Sequence, residues 1–124
     1  MKPERAVVTD TDPSDWHRTT TLDYTNHTEE ASCEAWIFLR VNQRFRTDTL
    51  TVRIATRTPD SLYTAEYHRL VFRERHTPSA IQRIVEVPYR RGIRLKECGR
   101  YHFAITPTRP IQGVEAVGMK LIEH

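Results

Sequence analysis

Glycine is scarce in this chain, at 4 of 124 residues, and cysteine and methionine are scarcer still at 2 each. No apolar run approaches the roughly 18 residues that cross a bilayer as a helix. So few glycines, with no low-complexity stretch, point to an ordered chain rather than a linker. Cys33 and Cys98 are too few for a disulfide framework. Paired, they would close a long loop worth roughly 4 kcal/mol in the chain-entropy account. Cys33, however, alternates with apolar residues, and this predicts a small buried hydrophobe instead.

Recognisable chemistry is missing too. The histidines His17, His27, His68, His76, His102 and His124 stand in no H-x-x-x-H spacing, and C-x-x-C does not occur. A ready-made zinc site is therefore not expected. G-x-S-x-G, the P-loop and G-x-G-x-x-G are likewise absent, so the chain is expected to be no enzyme and to hold no cofactor. Glu34, Glu66 and Glu86 fall in mid-strand, where outward carboxylates ordinarily pair with cross-strand cations. The segment Met1–Arg5 lacks the apolar core of a signal peptide.

Lysine supplies only 3 of the 19 basic residues, and arginine the remaining 16, against 16 acidic residues. The net charge is +3 and the calculated pI about 9.1. The arginines run from Arg5 to Arg109 with carboxylates among them, and only Arg90, Arg91 and Arg94 cluster tightly. That pattern reads as a mixed-charge surface and not as a nucleic-acid footprint.

What the chain does have is alternation. Its length suits one domain over residues 1–124, and 38% hydrophobic residues suit a thin, two-layer core. Period-2 patterns predict strands at Arg5–Thr9, Trp16–Thr25, Ser32–Val41, Thr49–Thr56, Leu62–Phe72, Ile81–Val87, Gly99–Ile105 and Val114–Ile122. In the third, Cys33, Ala35, Ile37, Leu39 and Val41 share one face, while Ser32, Glu34, Trp36, Phe38 and Arg40 share the other. A phase shift between Tyr67 and Leu70 suggests a bulge. Turns are expected at Asn26–Ala31 and Arg57–Ser61, a loop at Arg73–Ala80, and an irregular basic segment at Pro88–Glu97. The last strand carries Val117, Met119 and Leu121 on one face and Val114, Ala116, Gly118 and Ile122 on the other, the pattern of a central strand. The expected fold is all-β: an antiparallel, jelly-roll-like sandwich of about eight strands, with residues 1–15 partly an extended arm. Trp36, Phe38 and Arg40 on one outward face form a candidate platform for a partner or a glycan.

The stretch Phe38-Leu39-Arg40-Val41-Asn42-Gln43-Arg44-Phe45, followed by Thr49-Leu50-Thr51-Val52, resembles a segment of the gliding-motility lipoprotein GldH family. So does the close of the chain, where Gly99, Tyr101 and Phe103 lead through Arg109 to Gly113-Val114 and then Val117-Gly118. Trp16 and its strand fit the family's opening. The resemblance implies a non-catalytic Bacteroidetes envelope protein facing the periplasm, accessory to gliding motility, secretion or a related assembly. Its expected partners are other envelope proteins, and its expected membrane contact is a lipid-modified cysteine ahead of Met1. The alternative is a carbohydrate-binding sandwich that uses Trp36 and Phe38.

Overall fold

The computed structural model describes residues 4–27, 31–72 and 82–123. These residues form eight strands: β1 (Glu4–Asp10), β2 (Thr20–Asn26), β3 (Ala31–Asn42), β4 (Thr49–Arg57), β5 (Tyr63–Val71), β6 (Gln82–Leu95), β7 (Gly99–Pro107) and β8 (Val114–Glu123). They assemble into two four-stranded antiparallel sheets, ordered β1-β8-β3-β6 and β2-β7-β4-β5. The two sheets pack face to face as a β-sandwich. The pairs β1·β8, β2·β7, β3·β6 and β4·β5 are those of one long hairpin rolled up on itself, which is the jelly-roll path. The turn at Asn26–Ala31 and the loop at Arg73–Ala80 fall on residues 28–30 and 73–80, outside the described residues.

Alternation decides what goes inside. Cys33, Ala35, Ile37, Leu39 and Val41 of β3 are all buried, facing Leu22, Leu50, Val52, Ile54, Leu70, Tyr101, Phe103 and Ile105 from the other sheet. Burying each such side chain contributes about 1.5–3 kcal/mol relative to leaving it in water. Strand β8 lies between β1 and β3, central as its two apolar faces require. Cys33 and Cys98 are both free thiols, the first buried and the second exposed. Burial, and then the Glu123 carboxylate, push the Cys33 thiol up from its usual pKa.

Several expectations are corrected. The basic segment after Pro88 is not irregular: β6 runs unbroken through it to Leu95. It is an edge strand, so the missing N–H of Pro88 leaves no second neighbour unpaired. The stretch Pro88–Ile93 faces the shorter stretch Cys33–Trp36, with register shifts on both sides of Ala35, and these bulges absorb the extra residues. Conversely, β5 has no bulge, since its register with β4 is continuous from Thr49↔Val71 to Arg57↔Tyr63. The apparent phase shift arises because Tyr67 points out and Leu70 points in. Val114 joins the core instead of the outer face, because a register shift between Arg40 and Val41 turns it inward.

The second strand begins at Thr20, not Trp16. Trp16 forms a single bridge with Ile111, its indole N–H donates to Thr20 Oγ1 at 3.0 Å, and it plugs one end of the core. The expected arm is mostly structured: Glu4–Asp10 is the edge strand beside β8, and the Thr11 N–H donates to the Glu115 carbonyl.

Two glycines are required by geometry. Gly113 has φ +87°, and a Cβ there would sit 2.3 Å from the Phe45 backbone nitrogen. At Gly118 a Cβ would fall 2.1 Å from Phe38 Cζ, so the phenyl ring lies directly over the glycine.

Candidate ligand-binding faces

Each sheet turns one face to the core and the other outward, and the cross-strand register spells out both outer faces. On the first sheet the rows read Ala6–Lys120–Trp36–Pro88, Val8–Gly118–Phe38–Glu86 and Asp10–Ala116–Arg40–Ile84. This face holds the platform expected at Trp36, Phe38 and Arg40. All three are half-buried under their own neighbours. Lys120 Nζ stands 5.6 Å from the centre of the Trp36 ring, and the Trp36 indole N–H donates to Glu34 at 2.7 Å. Phe38 is spread over Gly118. Arg40 donates to Asp10 at 3.1 Å, and Lys120 to Glu86 at 2.8 Å. Asp10 thus meets Arg40, Glu86 meets Lys120 and Glu34 accepts from Trp36, so the long polar side chains in the middle of this face bond one another.

The outer face of the second sheet is built differently. One row reads Asp23–His102–Arg57–Tyr63, the next Thr21–Ala104–Ala55–Ala65, and the third Thr106–Arg53–Tyr67. Alanines on neighbouring strands, flanked by long side chains, leave an open trough of about 730 Å³ over Ala55 and Ala104. Arg53, Arg57, Arg100, His102 and Tyr63 wall it, and Ser61 closes one end in a positive-φ turn (φ 67°). Arg53 reaches across the floor and donates to the Tyr63 hydroxyl at 3.0 Å, while the Arg57 guanidinium lies 5.9 Å from the Tyr63 ring centre. His102 Nδ1 meets Asp23 Oδ1 at 2.8 Å, which leaves Nε2 as its remaining polar atom. No carboxylate among the described residues forms an ion pair with Arg57 or Arg100. Tyr67, 69% exposed, and Tyr63, 54% exposed, are the large aromatics shown to solvent among the described residues.

Chemically, the trough can hold an anion or a hydroxyl-rich chain against guanidinium and phenol groups. It contains an Asp–His pair, but neither imidazole nitrogen is hydrogen-bonded to a nucleophile such as Ser61. The mid-strand carboxylates are engaged elsewhere. Glu66 accepts hydrogen bonds from the Tyr89 hydroxyl and the Arg90 guanidinium across the gap between β5 and β6. Those two donors, Tyr89 foremost, hold the Glu66 carboxyl below its ordinary pKa. Burial, and then the bond to Glu66, push the Tyr89 phenol up to about 12. Among the described residues, no three His, Cys, Asp or Glu side chains converge as a metal site, and no helix is long and apolar enough to cross a membrane.

The residues that carry the family resemblance serve the fold. Gly99 has φ +122° at the start of β7, and Tyr101, Phe103 and Val117 are core. The Tyr101 hydroxyl donates to the Glu97 carbonyl at 3.0 Å, and Arg109 donates to the Thr49 carbonyl at 2.9 Å. Sequence reasoning did not single out the trough. Its signal was the small outward alanines Ala55, Ala65 and Ala104, which sit on different strands. No family model matches the chain, and no curated protein matches it either.

Proposed function

We propose that this is a non-catalytic binding domain of the cell envelope, GldH-like, that docks an acidic segment of a partner protein in the trough of the second sheet. The observation that carries the reading is the contrast between the two outer faces. The first pairs Arg40 with Asp10 and Lys120 with Glu86 over its aromatic rings, whereas the second holds Arg57 and Arg100 without carboxylate partners among the described residues, beside an alanine floor. Unpaired guanidiniums next to a shallow, uncluttered surface favour a carboxylate-bearing chain. The resemblance around Gly99–Gly118 supports the envelope setting, with a lipid anchor ahead of Met1.

Fluorescence anisotropy with an Asp/Glu-rich peptide tests the docking. The peptide is expected to bind and to weaken as salt rises, because the contact is charge-driven. The double variant Arg57→Ser/Arg100→Ser is expected to lose at least about tenfold in affinity, since charge-assisted hydrogen bonds contribute about 1.5–3 kcal/mol each. Unchanged binding by that variant would rule the docking out. Metabolic labelling of the full gene product with a palmitate analogue tests the anchor, and an unlabelled product counts against the envelope setting.

A carbohydrate reading is favoured by one observation, the exposure of Tyr63 and Tyr67 on the rim of the same trough. Phenol rings stack on pyranose faces, and the arginines would select an acidic glycan. Binding of polygalacturonate that disappears with Tyr67→Ala, together with silence of the peptide, would select this reading. On the first face, Trp36→Ala is expected to leave either interaction unchanged.

A further inference from the structure

The edges of the sandwich are unequal. At one side β1 lies close against β2; at the other, β5 and β6 stand apart. The extra residues of β6 between Pro88 and Ile93 form bulges on that edge. Between the sheets on this side lies a second cavity of about 390 Å³, which shares Thr58 with the lining of the alanine trough but opens inward from β4 and β5 instead of outward. Its inner wall is Leu95, Tyr101, Phe103 and Leu121, with half-buried Ile93 beside them. Its mouth holds Tyr89 and Arg90, both bonded to Glu66, together with Arg94, which has no ion-pair partner among the described residues.

We propose that this cavity binds a single acyl chain carrying an anionic head, a free fatty acid of medium length. The volume falls within the about 300–1,000 Å³ typical of small-ligand sites. The apolar inner wall suits a hydrocarbon tail. At the mouth Arg90 is bonded to Glu66, the one carboxylate of the lining, and Arg94 adds a second cation, so the lining carries net positive charge and favours a carboxylate head over a neutral or cationic one. The Tyr89–Glu66–Arg90 cluster bridges the two sheet edges and fixes the width of the entrance.

Displacement of a fluorescent fatty-acid probe by saturated acids of 6 to about 14 carbons, kept below their micelle concentrations, tests the assignment. Affinity is expected to rise about fourfold per added methylene and then level off once the cavity is full. The carboxylate is expected to bind better than the alcohol of equal length. Ile93→Arg, at a half-buried position, is expected to abolish binding while the melting temperature and peptide binding in the trough persist. A flat dependence on chain length, or full binding by Ile93→Arg, overturns the assignment, and equal binding of acid and alcohol overturns the anionic head. Recruitment to phospholipid vesicles without binding of monomeric acids would instead assign this edge to a bilayer and likewise overturn it.

Discussion

The two outer faces of this sandwich share one architecture and differ in how their charges are arranged. On the first sheet, Lys120 stands over Trp36 and bonds Glu86, Arg40 bonds Asp10, and Phe38 fills the space above Gly118. In the middle of this face cations and carboxylates lie on neighbouring strands, and Arg40 and Lys120 each find a carboxylate there. On the second, Arg53, Arg57, Arg69 and Arg100 share the surface with Asp23 alone as a carboxylate, and His102 already engages it. Small residues hold the middle row. Exposure of aromatic or basic residues is thus a weak guide to binding, whereas a cation without an internal partner beside an open floor is a stronger one.

The largest expected effect compares the same kind of substitution on both faces. Gly118→Val on the first face drives new carbons into the Phe38 ring and is expected to cost about 1–3 kcal/mol, as overpacking does. Ala104→Val on the trough floor is expected to change stability by no more than about 0.5 kcal/mol, since it enters open space. Its effect should appear as weaker peptide binding. Chemical denaturation of the two variants checks the pair, and equal costs would erase the distinction between the faces.

A smaller effect separates the charges. Replacing Lys120 by Met removes its bond to Glu86 and its contact with Trp36, and is expected to cost at most about 1 kcal/mol, as partly exposed ion pairs do. Peptide affinity should not change. Arg57→Ser is expected to do the reverse, with the melting temperature held and affinity lowered. A melting curve and an anisotropy titration on each variant decide the matter.

The open edge adds a pH dependence of stability. The Glu66 carboxyl is lowered by Tyr89 and Arg90 from an ordinary value near 4.5. Its contribution to stability is therefore present above that unfolded value and is lost as pH falls through the lower, folded one. Acid titration of Glu66→Gln against the parent chain should show a shallower loss of stability across that window. An identical acid limb would mean that the cluster is not coupled to folding.

The smallest expected effect lies at the rim of the trough. Ser61 holds φ 67°, a conformation that costs a non-glycine residue about 1 kcal/mol, so Ser61→Gly is expected to be neutral or slightly stabilising. Thermal melting measures it, and a clear loss of stability would show that the Ser61 side chain supports the turn.

Much of the fold was legible because burial in a sandwich is written in a period of two. The inward set of β3, the inward Tyr101, Phe103 and Ile105 of β7, and the apolar doubleness of β8 each follow from local alternation and side-chain size. Features that depend on a neighbouring strand were not legible. Pro88 looks like a strand breaker until β6 is known to be an edge, and Val114 looks outward until the register shift beside Arg40 turns it in.

By itself, then, the sequence determined the strand count, the sheet faces and the all-β class, because each residue's tendency to alternate, turn or break is local. Tertiary structure alone decided which charges are paired and where space remains. Asp23, Arg57, Tyr63 and His102 form one row, although they come from β2, β4, β5 and β7. Their meeting depends on strand order and register, which bring distant residues within side-chain reach and which no local pattern specifies. The cavity between β5 and β6 has the same origin, since its walls come from β4, β5, β6, β7 and β8.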